Sequence, residues 1–186
     1  VVAVGHDIDE LYPNLADEAG IVRCALDMLA VDGVGLQVPV LTGSSLLRYG
    51  AFAGTEAAVA IRSRLALEHP EILELDINQM ATERPDGTMF VGDTHHRGVS
   101  VAPFQQERDS EVLHSLARGL FDAPLRIRER WQGVYASGPD DFVIATPTDG
   151  VRTVTVTTGI GMTIGLGLAE RVVADLIDTH QTGVHA

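Results

Sequence analysis

The chain has 186 residues, and its composition of 45% hydrophobic and 21% charged residues is that of a packed globular protein. These values exclude a disordered tail, a collagen-like repeat and a coiled-coil rod. A formal net charge of -13 argues against a nonspecific nucleic-acid surface, because neutralising phosphates requires clustered positive charge.

The residue types that the sequence lacks exclude further kinds of functional site. All 13 basic residues are arginine, so a Schiff-base lysine and a Walker lysine are excluded. The single cysteine, Cys24, allows no intrachain disulfide, and we therefore expect a reducing, cytoplasmic setting. No run approaches the roughly 20 apolar residues of a membrane helix, so no membrane partner is expected.

The first third of the chain is predicted to contain several extended segments. Residues 1–4 form a β-branched apolar run that predicts a buried strand, and a start inside a strand suggests a piece of a longer protein. Residues 6–20 predict a loop with a short helix. Residues 21–31 predict a long strand, residues 38–41 predict a further extended segment, and residues 45–52 are compatible with strand or loop.

A helix and a hairpin are predicted next. Residues 55–69 have helical spacing, with Thr55 as the N-cap and Pro70 at the end. Residues 84–87 read Arg-Pro-Asp-Gly between two extended runs. This predicts a hairpin turn, because these residues accept the backbone angles that such a turn requires.

The C-terminal part is predicted to alternate between helix and strand. Residues 110–121 predict an amphipathic helix, and residues 125–135 predict a strand. Residues 151–158 alternate apolar and polar side chains and form the clearest strand pattern in the sequence. This strand leads through residues 159–163, which we call the glycine turn, into a helix predicted over residues 163–178.

The glycine turn is a candidate binding site. Where a strand turns into a helix, free backbone N–H groups and the positive end of the helix dipole favour an anion or a partly negative heteroatom. Gly159 and Gly161 allow a bulky ligand to approach the backbone. The spacing of these glycines to Gly165 misses the dinucleotide fingerprint by one residue, so that motif is rejected. The alternative is that the turn binds nothing and the glycines only allow close helix packing.

Four blocks in order along the chain carry a family resemblance. They are 45–49 (Ser-Leu-Leu-Arg-Tyr), 92–96 (Gly-Asp-Thr-His-His), 130–138 (Arg-Trp-Gln-Gly-Val-Tyr-Ala-Ser-Gly) and 159–163 (Gly-Ile-Gly-Met-Thr). Together they resemble the C-terminal half of FAD-dependent oxidoreductases of the D-amino-acid oxidase and glycine oxidase superfamily, and within it the phosphonate-associated subgroup. The resemblance implies oxidation of a small amine at the carbon next to nitrogen, with FAD as the electron acceptor.

The resemblance also implies a fold and a domain organisation. We expect the α+β class: a mixed, largely antiparallel sheet with helices on one face, plus a C-terminal strand-turn-helix of an FAD-binding domain. Residues 1–20 would end one stretch of the FAD-binding domain, residues 21–135 would form the substrate-binding domain, and residues 136–186 would return to the FAD-binding domain. The phosphate-binding glycine loop of such enzymes is absent from this sequence.

The expected site residues fall into two groups. The resemblance implies a cofactor-binding group beside the flavin, which consists of Gly159, Ile160, Gly161, Met162 and Thr163. The N–H groups of the last three of these residues would face the ring. The candidate substrate-binding residues are Arg48, Tyr49, His95, His96 and Tyr135. No catalytic acid or base is assigned, because the flavin carries the redox chemistry.

The reasons for the substrate-binding group differ from residue to residue. Arg48 offers a planar fork for the phosphonate or carboxylate of a small anionic amine, and pairing with one of the many acids is the equal alternative. Tyr135 stands where the resemblance implies a carboxylate-binding arginine, which is compatible with a phosphonate held elsewhere. A metal site of Asp93, His95 and His96 is disfavoured, because adjacent residues on a strand point to opposite faces.

Two other classes of function stay open at this stage. The first is a noncatalytic remnant or interaction domain that folds without flavin. The second, with the least support, is a metal hydrolase built from histidine and carboxylate ligands. The sequence also leaves open whether the chain forms a homo-oligomer.

Overall fold

The computed structural model describes residues 1–183, so the end of the predicted domain 136–186 lies outside the described residues. The chain divides into two compact units. The central unit consists of residues 25–96 and 102–133, and the terminal unit consists of residues 1–24, 97–101 and 134–183. The match of these units to a substrate-binding and an FAD-binding domain stays a prediction.

Helices and strands alternate irregularly along the described residues. The α-helices are α1 (Ile8–Leu11), α2 (Pro13–Glu18), α3 (Gly43–Arg48), α4 (Gly50–Ala53), α5 (Glu56–Glu68), α6 (Pro70–Glu74), α7 (Glu107–Phe121) and α8 (Gly161–Gly183). The strands are β1 (Val22–Asp32), β2 (Val40–Leu41), β3 (Met80–Glu83), β4 (Thr88–Gly92), β5 (His96–Gly98), β6 (Ile127–Ser137), β7 (Phe142–Ala145) and β8 (Thr153–Val156).

The central unit is built on an antiparallel sheet. Its strands follow the order β2-β3-β4-β1, and each neighbouring pair in this series is antiparallel. The register places Leu29 opposite Val91 and Ala81 opposite Val91 on its other side. Strands β5 and β6 also pair with β1. Because β1 is an interior strand, its long apolar run is accounted for by burial.

The hairpin between β3 and β4 forms where the sequence predicts it. Gly87 has a φ of 74°, and its N–H donates to the Arg84 carbonyl at 3.0 Å. Asp86 Oδ1 accepts the N–H of Thr88 at 2.9 Å. The turn therefore uses the left-handed freedom of glycine and the short reach of an aspartate side chain.

Two long helices contribute to the central core. Helix α5 begins at the predicted cap, where Thr55 Oγ1 accepts the N–H of Ala58 at 3.2 Å. Its Leu65 packs in one buried cluster with Leu113 of α7 and with Leu29 of β1. The amphipathic pattern of α7 is thus confirmed, and its apolar stripe is buried in the central unit.

Residues 45–52 differ from their prediction as strand or loop. They form most of α3 and α4. Leu47 is buried in the core, while the Ser45 hydroxyl donates to the Gln79 carbonyl at 3.1 Å and the Ser44 hydroxyl accepts the Gln79 N–H at 3.0 Å. These long-range contacts favour a helix where the local pattern is weak.

The terminal unit joins both ends of the described chain. Val2 forms a parallel bridge to Thr153, with its N–H donating to the Arg152 carbonyl at 2.8 Å. The predicted strand at residues 1–4 is therefore reduced to one bridge, because Gly5, with a φ of 62°, turns the chain into a short 3-10 helix. Its predicted burial is wrong, since Val1 and Val4 are exposed. Strands β7 and β8 form a separate antiparallel pair, and α8 follows β8.

These elements confirm the α+β class with a largely antiparallel sheet. They also confirm the strand-turn-helix at the C-terminal end of the sequence, although β8 is shorter than the predicted strand. Among the helices of residues 1–183, none combines the length and the apolar character that crossing a membrane requires.

Candidate functional site

Two of the predicted substrate-binding residues meet on one aspartate in the central unit. Arg48, the last residue of α3, donates from Nη1 to Asp76 Oδ2 at 2.8 Å. His95 Nδ1 lies 2.9 Å from the carbonyl oxygen of Asp76, and the His95 side chain is only 3% exposed. Because a carbonyl can only accept, His95 Nδ1 carries the proton in this contact.

Asp93 adds a carboxyl of altered acidity to this group, which we call the Asp76 cluster (Arg48, Asp76, Asp93 and His95). The backbone of Asp93 exchanges hydrogen bonds of 2.8 and 2.9 Å with Asn78. Burial raises the pKa of Asp93 to about 6, against the opposing effect of the Arg48 charge. A carboxyl with such a pKa is suited to exchanging a proton near neutral pH.

The role of Arg48 as an anion clamp stays a prediction, but its surroundings are now defined. Its side chain is 13% exposed and is held in an ion pair with Asp76, whose side chain is 42% exposed. The alternative of pairing with an acid is thus realised, in a largely buried position rather than on the surface. Tyr49, at the end of α3, is half-buried and precedes α4.

His96 has partners different from those of its neighbour His95. Its Nε2 lies 3.0 Å from Asp109 Oδ2 and 3.7 Å from Asp27 Oδ2, and its side chain is 44% exposed. His95 precedes β5 and is buried beside Asp76, whereas His96 begins β5, so the two histidines have separate partners. A metal shared by Asp93, His95 and His96 is therefore not supported.

The sequence reasoning missed Asp27, Asp76 and Asp109. Asp27 interrupts the apolar run of β1. Because an aspartate is rarely buried inside a strand, this position is a sequence signal that indicates a candidate functional residue. Asp109 lies in the first turn of α7, where an acid is ordinary, so only the fold reveals its contact with His96. Asp76 follows α6 with a φ of 47° and carries no distinctive sequence pattern.

The glycine turn lies in the terminal unit together with Tyr135. Gly159 has a φ of 76°, and a Cβ added there would lie 3.8 Å from the Tyr135 ring. The Thr163 N–H donates to the Ile160 carbonyl at 2.9 Å, so this amide is used within the chain. Within the described residues, the amides of Gly161 and Met162 donate to no acceptor, so two of the three predicted amides are available.

The outer side of the glycine turn is exposed. Met162 is fully exposed, and a Cβ built on Gly161 would meet its nearest atom, Val156 Cβ, at 3.9 Å. Two neighbouring free backbone donors, one of them on a residue without a side chain, fit the edge of a flat, electron-accepting ring. The residues present therefore fit one part of a flavin site, and the sequence supplies no phosphate-binding loop for the rest.

Comparisons with known proteins show a likeness of fold. No protein-family model and no curated protein matches the chain. Among solved structures, the crystal structure of glycine oxidase from Bacillus cereus ATCC 14579 matches with a TM-score of 0.61 at 13% sequence identity. The match covers 96% of this chain and 42% of that chain, so this chain spans less than half the length of the oxidase. The chain thus has the fold of part of glycine oxidase.

Proposed function

We propose that this chain is the C-terminal portion of a cytoplasmic FAD-dependent oxidoreductase that oxidises the C–N bond of a small anionic amine. The observation that carries the proposal is the likeness to glycine oxidase over 96% of the chain, in a segment whose sequence blocks resemble the same superfamily. The aminophosphonate class rests on the sequence blocks alone, and an amino acid is the other substrate considered.

The glycine turn is proposed to hold the edge of the cofactor. When bound, FAD supplies the acceptor for the hydride equivalent that leaves the carbon next to the amine. The free N–H groups of Gly161 and Met162 donate to a ring heteroatom, and the dipole of α8 favours negative charge at that atom. Gly159 keeps the turn open beside Tyr135, which covers one side of the same turn.

The Asp76 cluster is proposed to recognise the substrate. Arg48 is fixed by Asp76 in a defined orientation and binds the phosphonate or carboxylate through charge-assisted hydrogen bonds. Asp93, with its pKa of about 6, takes a proton from the substrate ammonium group, because oxidation requires the neutral amine. His95 is held in the same cluster through Nδ1.

The experiment uses the full-length protein that contains this chain, purified without added flavin. We expect a bound flavin spectrum that is bleached under anaerobic conditions by a small amine with an anionic group. Glycine and aminomethylphosphonate form a matched pair that differs only in the anionic group, and methylamine is the control that lacks one. Bleaching by the phosphonate in preference to glycine supports the phosphonate class.

Two results would contradict the proposal. A colourless protein that takes up no FAD on reconstitution would favour the noncatalytic alternative. A flavoprotein that methylamine bleaches as fast as either anionic amine would reject substrate recognition by an arginine clamp, although FAD binding would stand.

A further inference from the structure

A histidine and two carboxylates form a second charged group in the central unit. His96 Nε2 lies 3.0 Å from Asp109 Oδ2 and 3.7 Å from Asp27 Oδ2. One ligand atom from each of the three side chains falls within 4.8 Å of the others. We call this group the Asp27 cluster. Strand β1 supplies Asp27, the start of β5 supplies His96, and the first turn of α7 supplies Asp109.

The carboxylates of Asp27 and Asp109 are buried, and the described residues offer few partners for their oxygen atoms. The side chains of Asp27 and Asp109 are 2% and 4% exposed. Among the described residues, His96 forms an ion pair with each of the two carboxylates. Asp27 Oδ1 is buried and has no hydrogen-bond partner among the same residues. A carboxylate removed from water requires a partner of opposite charge. A divalent cation seated between the two carboxylates and the His96 ring supplies such a partner to both.

The donor set indicates the class of cation. Imidazole nitrogen favours zinc and other first-row transition metals, and carboxylate oxygens also bind them, whereas magnesium prefers an all-oxygen shell. Tetrahedral zinc with bonds of about 2.0–2.2 Å places its ligand atoms roughly 3.3 Å apart. The distances of 3.0 and 3.7 Å from His96 Nε2 to the two carboxylates lie on either side of that spacing.

We propose that the Asp27 cluster binds one divalent transition-metal ion such as Zn²⁺. The ligands are His96 Nε2 and one oxygen each from Asp27 and Asp109. The two aspartates form the buried floor of the site, and His96, whose side chain is 44% exposed, forms its outer wall. Three protein ligands leave a fourth position open on the solvent side. The proposal does not depend on flavin binding.

The test measures Zn²⁺ binding to the purified metal-free chain by isothermal titration calorimetry. We expect one Zn²⁺ per chain, and His96→Gln should raise the Kd at least about 10-fold, since even the partners behind metal ligands contribute that much. His69→Gln is the matched control, because His69 pairs with Glu71 at 3.2 Å in an exposed two-residue contact. It should leave the Kd unchanged. Co²⁺ should give ligand-field absorption bands that His96→Gln removes.

Three outcomes would overturn the proposal: no stoichiometric Zn²⁺ binding, a Kd that His96→Gln leaves unchanged, or an equal loss in His69→Gln. Competition adds a fourth, because displacement of Zn²⁺ by an equal concentration of Mg²⁺ would reject the mixed donor set. Circular dichroism and urea unfolding of metal-free His96→Gln serve as the folding control. The exposed position of His96 predicts a wild-type fold for this variant.

Discussion

The Asp76 cluster and the glycine turn, the two regions proposed to bind ligands, differ in how their polar groups are held. In the central unit, Arg48 and His95 are largely buried and already held by Asp76 before any ligand arrives. In the terminal unit, Met162 is fully exposed beside free backbone amides. A pre-organised cluster gains specificity because its side chains are ordered in advance, whereas an open turn gains affinity only by burying new surface.

The largest expected effect is on the free energy of unfolding, and it distinguishes a buried leucine of the central unit from an exposed leucine of the terminal unit. Leu29 is 0% exposed in the central core, whereas Leu166 on α8 is 91% exposed. We expect Leu29→Ala to lower the free energy of unfolding by about 2–5 kcal/mol and Leu166→Ala to change it by less than about 0.5 kcal/mol, measured by urea denaturation. Equal losses would contradict the contrast between a packed central core and an open face of α8.

The next effect is a pH dependence that belongs to the Asp76 cluster. The pKa of Asp93 is raised from 3.8 to about 6 in the folded chain, so the folded state binds the proton more tightly. Its contribution to stability is full below pH 3.8 and is lost as the pH rises to about 6. Relative to the wild type, Asp93→Asn should therefore gain about 2–3 kcal/mol between pH 4 and pH 7.

Asp86 is the control for this titration. The backbone N–H of Thr88 holds the pKa of its carboxyl below the usual value, so its contribution has the opposite sign. Asp86→Asn should lose stability relative to the wild type as the pH rises. If the stabilities of Asp93→Asn and Asp86→Asn, each relative to the wild type, changed with pH in the same direction, burial would not be the cause of the raised pKa of Asp93.

A smaller effect tests recognition by Arg48 in the full-length protein. Arg48→Ala should raise the KM for the anionic amine about 10-fold or more and leave the flavin content unchanged, since a hydrogen bond between charged groups contributes about 1.5–3 kcal/mol. Arg64, 66% exposed and paired with Glu68 on α5, is the control. An unchanged KM, or a parallel loss of flavin, would reject the clamp.

The smallest effect concerns the backbone of the glycine turn. Gly159 has a φ of 76° but has room for a Cβ, so the effect of Gly159→Ala comes from the backbone. We expect a loss of about 1–2 kcal/mol in unfolding free energy. Gly165→Ala, in the open interior of α8, should stabilise by about 0.5–1 kcal/mol. Similar stabilities for the two variants would contradict a left-handed requirement at Gly159.

The sequence predicts the elements whose signals are local. The cap at Thr55, the turn at residues 84–87 and the alternation before the glycine turn each depend on a few neighbouring residues, and all three form. The prediction for residues 45–52 is wrong at α3 because that helix is supported by contacts with Gln79, far along the chain. A local pattern cannot report such contacts.

The same limit applies to the candidate site. Arg48 and His95 are recognisable as polar residues in suggestive blocks, but the aspartate that joins them follows an unremarkable helix end. The contacts of His96 with Asp27 and Asp109 depend on how α7 packs against the sheet strands of the central unit. A site whose residues come from elements far apart in the sequence can be identified only when the fold is known.

The central claim, that the amides of the glycine turn face a flavin, is tested most directly by FAD affinity of the full-length protein carrying Gly161→Val. A Cβ at Gly161 would meet its nearest atom, Val156 Cβ, at 3.9 Å, so the first added carbon is accommodated within the chain. The account predicts unchanged thermal stability of the flavin-free protein and an FAD Kd raised about 10-fold or more, while Gly119→Val on α7 retains wild-type affinity. Wild-type FAD affinity in Gly161→Val would contradict the claim.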